Sequence, residues 1–204
     1  MIALVDYGLG NIQAFANIYN RLNIPVSIAQ DGETLAKAER VILPGVGAFD
    51  WAMSRLNQSG MRECLDDLVM NRKVPVLGIC VGMQMMATRS DEGEVPGLGW
   101  IDAEVKKFDM SNSNQHTRLP HMGWNDVAAS EFDDIFGGME DGSRFYFLHS
   151  YYFAPARQRD VLGITDYNGR FASAVRSGNI FGVQFHPEKS HRWGVQLLKN
   201  FAEL

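Results

Sequence analysis

The stretch VPVLGICVGMQMMA, residues 74–87, decides how the fold of this chain is interpreted. Its first part is a short apolar run, which is the pattern of a buried strand. Two glycines then flank Cys80, and a segment with helical spacing follows. Because glycine lets the backbone turn sharply, the stretch predicts a strand over 74–79, a tight turn at Cys80 and then a helix.

The first half of the chain repeats this alternation of short apolar runs and helical stripes. The apolar runs lie at 2–5, 26–29, 41–43 and 74–79. Helical stripes follow the first run, around 12–19, and precede the last, at 61–68, with a short helix near 33–39. Such alternation predicts βαβ units, which form a mainly parallel sheet with helices on both faces.

From about residue 97 the pattern changes to closely spaced strands. The predicted strands cover 100–108, 122–127, 145–152, 161–167, 171–176 and 180–185. RSGN at 176–179 predicts a hairpin turn, and apolar residues repeating every four positions over 193–201 predict a closing helix. We therefore expect a single α/β domain over 1–204, with a mainly parallel central sheet and a strand-rich, partly antiparallel second half.

Composition excludes several classes of function. The 204 residues are 46% hydrophobic and 21% charged, and the net charge of −5 gives no basic patch for nucleic acid. Apolar runs are far shorter than the roughly 18 residues of a membrane span, and MIALVDYG lacks the features of a signal peptide. Two cysteines are too few for a disulfide framework. We expect a cytoplasmic protein without membrane, nucleic-acid or metal partners.

Cys80 is the candidate nucleophile. A helix N-terminus behind it would offer free N–H groups and partial positive charge, which favour a thiolate. The glycines of GICVG follow the steric logic of a nucleophile elbow. A lone cysteine is more often a buried structural residue, and Cys64, on the apolar face of a predicted helix, fits that role. Packing alone gives no reason for the glycines around Cys80.

A thiol nucleophile needs a base and a group that orients the base. His186 follows the apolar run IFGVQF, so its ring is expected at the same sheet edge as Cys80. Pro187 stiffens the link to Glu188, whose carboxylate can orient the ring. The sequence thus predicts a Cys80–His186–Glu188 triad. The other histidines are expected to be structural or lack a specific setting: His116, His121, His149 and His191.

Two glycine-rich turns have competing interpretations. In LPGVGAF, 43–49, the two glycines would let successive N–H groups form an oxyanion hole, although an ordinary strand-ending turn is nearly as well supported. YGLGN, 7–11, is similar to a dinucleotide-binding fingerprint, but Gln13 stands where a third glycine is needed. A non-catalytic nucleotide-binding module therefore remains an alternative, which NAD or FMN binding would test. A stand-alone cysteine hydrolase of the same general fold is a further alternative function.

The motifs GICVGMQ and FHPEKS resemble the signatures of class I, triad-type glutamine amidotransferases. Further blocks are similar to those of one branch, the glutaminase subunits of imidazole glycerol phosphate synthases: DYGLGN, LPGVGAF, PGLGWI, LPHMGWN and FYFLHSYYF. Together these motifs extend from residue 6 to residue 190. The resemblance implies a flavodoxin-like amidotransferase fold and a reaction that uses neither a cofactor nor a metal.

For the site, the resemblance implies that Cys80 attacks the carboxamide of L-glutamine, with His186 as base and then acid and Glu188 orienting it. Ammonia leaves, and water hydrolyses the γ-glutamyl thioester to glutamate. Gln84 would help to hold the substrate. The oxyanion hole would come from the backbone of Gly45, Val46 and Gly47.

The resemblance also implies a partner. Ammonia would pass to a (β/α)8-barrel cyclase subunit, in a one-to-one heterodimer, which makes imidazole glycerol phosphate and aminoimidazole carboxamide ribonucleotide in histidine biosynthesis. Interface positions would be Asn11, Trp124, Tyr146 and Lys189. Departures such as Val81, where leucine is commoner, leave room for a paralogous glutaminase subunit that supplies ammonia for surface-polysaccharide amidation.

Overall fold

The structure is a computed structural model that describes residues 1–111, 118–129, 134–140 and 142–204. Its strands are β1 (Ile2–Val5), β2 (Val26–Ala29), β3 (Arg40–Gly45), β4 (Val76–Cys80), β5 (Arg89–Ser90), β6 (Ala103–Lys107), β7 (His121–Asp126), β8 (Ala128–Ala129), β9 (Arg144–His149), β10 (Tyr151–Pro155), β11 (Val161–Asp166), β12 (Arg170–Ser177) and β13 (Ile180–Val183). Its α-helices are α1 (Ile12–Arg21), α2 (Gly32–Leu35), α3 (Phe49–Gln58), α4 (Arg62–Asp66), α5 (Val81–Gln84) and α6 (His191–Glu203).

The central sheet has the strand order β2-β1-β3-β4-β13-β12-β11-β8. Its first five strands are parallel to one another, and the last three continue the sheet in antiparallel pairs. The order β2-β1-β3-β4 followed by a fifth parallel strand is the flavodoxin-like arrangement. The predicted fold class is therefore confirmed, including the partly antiparallel second half.

Helices cover both faces of this sheet because the crossover connections are right-handed. Helix α1 connects β1 to β2, its neighbour at one edge of the sheet. Helix α2 connects β2 to β3, and α3 and α4 connect β3 to β4, in the opposite direction along the sheet. Helices α2, α3 and α4 therefore lie on the other face from α1. Contacts agree with this division. Tyr19 of α1 donates a hydrogen bond to the Leu198 carbonyl of α6 at 3.0 Å, and Cys64 of α4 contacts the Gly32 carbonyl of α2 at 3.4 Å.

The predicted strand over 145–152 is wrong in one respect, because the chain changes sheets at Ser150. Strand β9 pairs with β7 in a two-stranded ribbon, and β10 pairs with β6 in a separate three-stranded sheet. No glycine or proline interrupts FYFLHSYYF, so the sequence carries no local signal for the break. The change of sheet depends on the two different partner strands.

Other boundaries move by a few residues. Strand β4 starts at Val76 and ends at Cys80, and the helix after it is a single turn. Helix α3, which begins at Phe49, the last residue of LPGVGAF, is absent from the predicted elements. The RSGN hairpin is confirmed, since Ser177 pairs with Ile180 and Gly178 has φ +62°. No helix in the described part of the chain is long and apolar enough to cross a membrane.

Candidate active site

Cys80 lies at the point where β4 turns into α5, in a strained conformation. Its φ of 54° and ψ of −114° are unusual for a residue with a side chain, and such strain is found mainly at functional sites. The neighbouring glycines are needed for space. A Cβ on Gly82 would lie 1.9 Å from the Leu43 carbonyl oxygen, and one on Gly78 would lie 2.8 Å from the Gly82 carbonyl oxygen.

His186 and Glu188 follow β13, the parallel neighbour of β4. Because Val183 pairs with Ile79, the residues after both strands emerge at the same edge of the sheet. His186 Nδ1 lies 2.9 Å from Glu188 Oε1, and the two side chains are 5% and 3% exposed. Burial opposes protonation of His186, but hydrogen bonds and negative charge from Cys80 and Glu188 prevail and raise its pKa. The structure thus brings the three predicted triad residues together.

Ser190 ties the His186 turn to β9. Its hydroxyl donates to the His186 carbonyl at 2.6 Å and accepts from the Tyr146 amide at 3.0 Å. In return the His186 amide donates to the Tyr146 carbonyl at 2.8 Å. These three bonds hold the segment 186–190, the histidine turn, against the ribbon of β7 and β9. Ser190 is the last residue of FHPEKS, and nothing in that motif distinguishes it as a bridge to β9.

A cavity of about 280 Å³ opens beside Cys80 and His186. Val46 and Gly47 line it, and no described group accepts a hydrogen bond from their amides. Gly45, the third predicted oxyanion residue, is not in the cavity wall. A Cβ on Gly45 would lie 2.5 Å from the Gly82 amide nitrogen, so this glycine permits close packing of β3 against α5.

Gln84 also lines the cavity, but its amide nitrogen is engaged within the protein. Gln84 Nε2 donates to the Tyr151 carbonyl at 3.1 Å and to Gln184 Oε1 at 3.0 Å. Its Oε1 therefore remains as the group that can face a ligand. Gln184, which sequence reasoning missed, places its own Nε2 3.7 Å from Cys80 Sγ.

Glu92 is a second residue that sequence reasoning missed. It contributes a carboxylate to the cavity wall, and its Oε2 accepts a hydrogen bond from the Phe49 amide at 2.9 Å. Glu92 belongs to the polar segment SDEGE, where nothing distinguishes it from solvated acidic residues. Among the residues that the structure describes, no group of three or more His, Cys, Asp or Glu side chains could hold a metal ion.

His121 and His149 form a buried pair beside the cavity, and His149 is part of its wall. Their ring nitrogens Nδ1 and Nε2 lie 2.9 Å apart, and His149 Nδ1 lies 2.8 Å from the Tyr151 carbonyl oxygen. Burial lowers the pKa of His121 to about 4 and that of His149 to about 3. Both rings are therefore neutral at pH 7, as expected of structural histidines. His116 lies outside the described residues.

Three of the four predicted interface residues, Trp124, Tyr146 and Lys189, lie on the ribbon and on the turn that follows His186. Lys189 Nζ is 5.7 Å from the centre of the Tyr146 ring, and Trp124, 41% exposed, stacks on His191. Exposed apolar side chains continue the ribbon face, with Met122 64% and Leu148 38% exposed. Asn11 has a structural contact as well, since its side chain caps α1 by accepting from the Ala14 amide.

The strained Cys80, the His186–Glu188 pair and the flavodoxin-like sheet are the features to compare with known protein families. The family model for class-I glutamine amidotransferases matches residues 3–204. The chain belongs to this family, so the resemblance inferred from GICVGMQ and FHPEKS is confirmed.

Curated relatives narrow the similarity to one branch of the family. The chain is 56% identical over 204 residues to imidazole glycerol phosphate synthase subunit HisH of Bdellovibrio bacteriovorus, with complete coverage of both chains. It is 49% identical, again over the full length of both, to subunit HisH of Leptospira interrogans. The resemblance of the shorter motifs to this branch is therefore confirmed.

Solved structures share the fold at much lower identity. A protein described as a glutamine amidotransferase superposes with a TM-score of 0.71 at 20% identity, covering 97% of this chain and 98% of that one. PurLQS from Thermotoga maritima gives a TM-score of 0.69 at 19% identity, covering 99% and 97%. At these identities the likeness concerns the fold alone.

Proposed function

We propose that this chain hydrolyses L-glutamine to glutamate and ammonia, as the glutaminase subunit of an imidazole glycerol phosphate synthase. The observation that carries the proposal is that Cys80 and His186 line one cavity, on turns that follow two neighbouring parallel strands, while Glu188 bonds to the His186 ring. The names of the full-length relatives support the choice of pathway.

In the proposed reaction, the Cys80 thiolate attacks the carboxamide carbon while His186 is protonated. The tetrahedral intermediate collapses when His186 gives its proton to the leaving nitrogen, so ammonia departs and a γ-glutamyl thioester remains. Water, deprotonated by His186, then attacks the thioester, and the proton returns to the sulfur as glutamate leaves. Glu188 holds Nδ1 and stabilises the imidazolium, which agrees with the raised pKa of His186.

The negative charge on the intermediate needs N–H donors, because removal of one such donor typically costs on the order of a hundred- to a thousandfold in rate. Val46 and Gly47 are the candidates from the 43–49 turn, since their amides are free of other described partners. The amide of Val81 is a third candidate, because the residue after the nucleophile supplies a donor in elbow-type sites.

Charge complementarity supports a role for Glu92 in substrate recognition. A free glutamine carries an ammonium group, and Glu92 is the carboxylate in the described wall of the cavity. Gln84 Oε1 offers an acceptor for an N–H of the substrate, since Gln84 Nε2 is already bonded. A substrate with both an ammonium and a carboxamide group fits these two acceptors.

We also propose that the ribbon face docks a (β/α)8-barrel cyclase subunit in a one-to-one complex in the cytoplasm. The exposed apolar side chains of Met122, Trp124 and Leu148 and the nearby Lys189 would form part of the contact. The cyclase would use the ammonia to form imidazole glycerol phosphate and aminoimidazole carboxamide ribonucleotide.

The test is glutamate production by the purified chain, alone and with a candidate cyclase and the cyclase's nucleotide ligand. We expect weak activity alone and strong activation by the complete complex. Absence of glutamine hydrolysis in the complete, assembled complex would contradict the proposal. Co-purification with a cyclase from polysaccharide amidation would favour the paralogous function instead.

A further inference from the structure

A continuous series of hydrogen bonds connects the sulfur of Cys80 to the buried histidine pair. Gln184 Nε2 contacts Cys80 Sγ at 3.7 Å, within the range of a hydrogen bond to sulfur, and Gln184 Oε1 accepts from Gln84 at 3.0 Å. Gln84 also donates to the Tyr151 carbonyl at 3.1 Å, which in turn accepts from His149. Gln184 is fully buried.

The direction of every bond in this series follows from its end. The Tyr151 carbonyl can only accept, so His149 Nδ1 and Gln84 Nε2 must both donate to it. Because Gln84 presents its NH₂ group, the atom of Gln184 that meets it must be the amide oxygen. The NH₂ group of Gln184 is therefore turned toward the sulfur of Cys80.

Packing gives no reason for an amide at this position. Gln184 lies in the apolar run IFGVQF, and burying an amide costs free energy unless its polar atoms are bonded. In the described part of the chain, the side-chain partners of Gln184 are Cys80 and Gln84 alone. An apolar side chain of similar length would fill the same volume.

We propose that Gln184 is a further catalytic residue of the glutaminase site, whose side-chain N–H donates a hydrogen bond to the Cys80 thiolate and holds it toward the cavity. The proposal rests on the glutaminase function argued above. A hydrogen bond to an ionised acceptor is stronger than one to a neutral acceptor, so Gln184 favours the thiolate over the thiol. Gln84 and the Tyr151 carbonyl keep the amide in the required orientation.

The test replaces Gln184 by methionine, which has a similar length and no donor. In the full-length chain, the rate of Cys80 alkylation by iodoacetamide is measured against pH by peptide mapping. We expect the Cys80 profile of Gln184→Met to move to higher pH by about one unit, which corresponds to one hydrogen bond to a charged group. The turnover number for glutamine in the complex should fall about tenfold.

Two controls separate this effect from a general change in packing. Cys64, in the same molecule, should keep its alkylation profile. Ser173 is the strand neighbour of Gln184, because its carbonyl accepts a hydrogen bond from the Gln184 backbone N–H. Ser173→Ala removes a different buried side-chain hydrogen bond, the one that Thr165 donates to the Ser173 hydroxyl. It should leave the Cys80 profile unchanged.

An unchanged Cys80 profile in a folded Gln184→Met chain would overturn the inference, even if the wild type is a glutaminase. Should that variant not fold, Gln84→Met decides, because it removes the bond that orients Gln184 and should move the profile in the same direction. Failure of the proposed function itself has a different signature, namely no glutamine hydrolysis by the wild-type complex.

Discussion

Gly45 and Cys80 are paired directly across the neighbouring strands β3 and β4. The 45–47 turn and the turn into α5 therefore leave the sheet at the same level. This pairing brings the free amides of Val46 and Gly47 to the same cavity as the sulfur of Cys80. A small movement of the 45–47 turn would change the direction of these donors relative to the sulfur.

Substitution of Cys80 separates catalysis from backbone strain. Cys80→Ala should abolish glutamine hydrolysis while the chain stays folded. Cys80→Gly should also be inactive but about 1 kcal/mol more stable than Cys80→Ala, because glycine relieves the strain at φ 54°. Urea unfolding of both variants measures the difference.

Cys64 provides a matched control for that comparison, since it lies in α4. There the order of stability should be reversed, with Cys64→Gly about 1 kcal/mol less stable than Cys64→Ala. Equal or lower stability of Cys80→Gly relative to Cys80→Ala would show that the elbow is not strained.

His186→Ala should reduce glutamine turnover at least about a thousandfold, because members of a triad act as a unit. Glu188→Gln should be milder, since the glutamine oxygen can still accept from His186 Nδ1. Steady-state kinetics of the complex measures which of the two variants loses more activity. External ammonium should still support synthesis in both variants if the complex assembles, and a more damaging Glu188→Gln would reverse the assigned roles.

Gly82→Ala should destabilise the chain by about 3 kcal/mol, because its Cβ would meet the Leu43 carbonyl at 1.9 Å and backbone cannot shift as easily as a side chain. Gly32→Ala is the matched control, since its Cβ would meet no atom closer than 3.7 Å. Thermal or urea unfolding of both variants checks the difference. Similar stabilities would contradict the close approach of β3 to α5.

Stability should be greatest near pH 6.5. Burial lowers the folded-state pKa of His149 to about 3, below the ordinary 6.5 of the unfolded chain. As the pH falls below 6.5, the unfolded chain therefore binds a proton at this histidine that the folded chain does not bind. The free energy of unfolding should decrease by about 2 kcal/mol between pH 6.5 and 5 from His149, and by a similar amount from His121, whose pKa burial lowers to about 4.

His186 has the opposite effect above pH 6.5. Burial opposes its protonation, but Cys80 and Glu188 raise its folded-state pKa, so the stability it contributes is lost as the pH rises. Urea unfolding between pH 5 and 9 gives the profile. His149→Asn, which retains a donor for the Tyr151 carbonyl, should remove about half of the acid slope, because His121 contributes the rest. An unchanged acid slope would refute the assignment.

Lys189→Ala should weaken activation by the cyclase more than it weakens binding. Lys189 borders Glu188 in sequence, lines the cavity and lies over the Tyr146 ring, so it connects the proposed docking face to the triad. Activation requires that the ligand-bound partner favours the active arrangement. We expect a several-fold loss of activation at nearly constant partner affinity, measured by glutamate production and titration calorimetry. Unchanged activation would remove Lys189 from this role.

Local patterns were sufficient to predict the tight turn at Cys80 and the pairing of His186 with Glu188. The glycines around Cys80 and the proline after His186 constrain the backbone within a few residues, and both motifs follow apolar runs that are typical of buried strands. Their meeting was predictable because the C-terminal ends of parallel strands lie at one edge of a sheet.

The sequence alone determined the alternation of strands and helices, the tight turn at Cys80 and the mainly parallel first half, because side-chain periodicity and glycine restrictions act over short distances. Only the tertiary structure decided that 145–152 divides between two sheets and that Gly45 serves packing. It also decided that Gln184 reaches the sulfur of Cys80, through contacts between residues about a hundred positions apart. Such contacts depend on strand register and on which side chains share a buried space, and neither leaves a periodic trace in the chain.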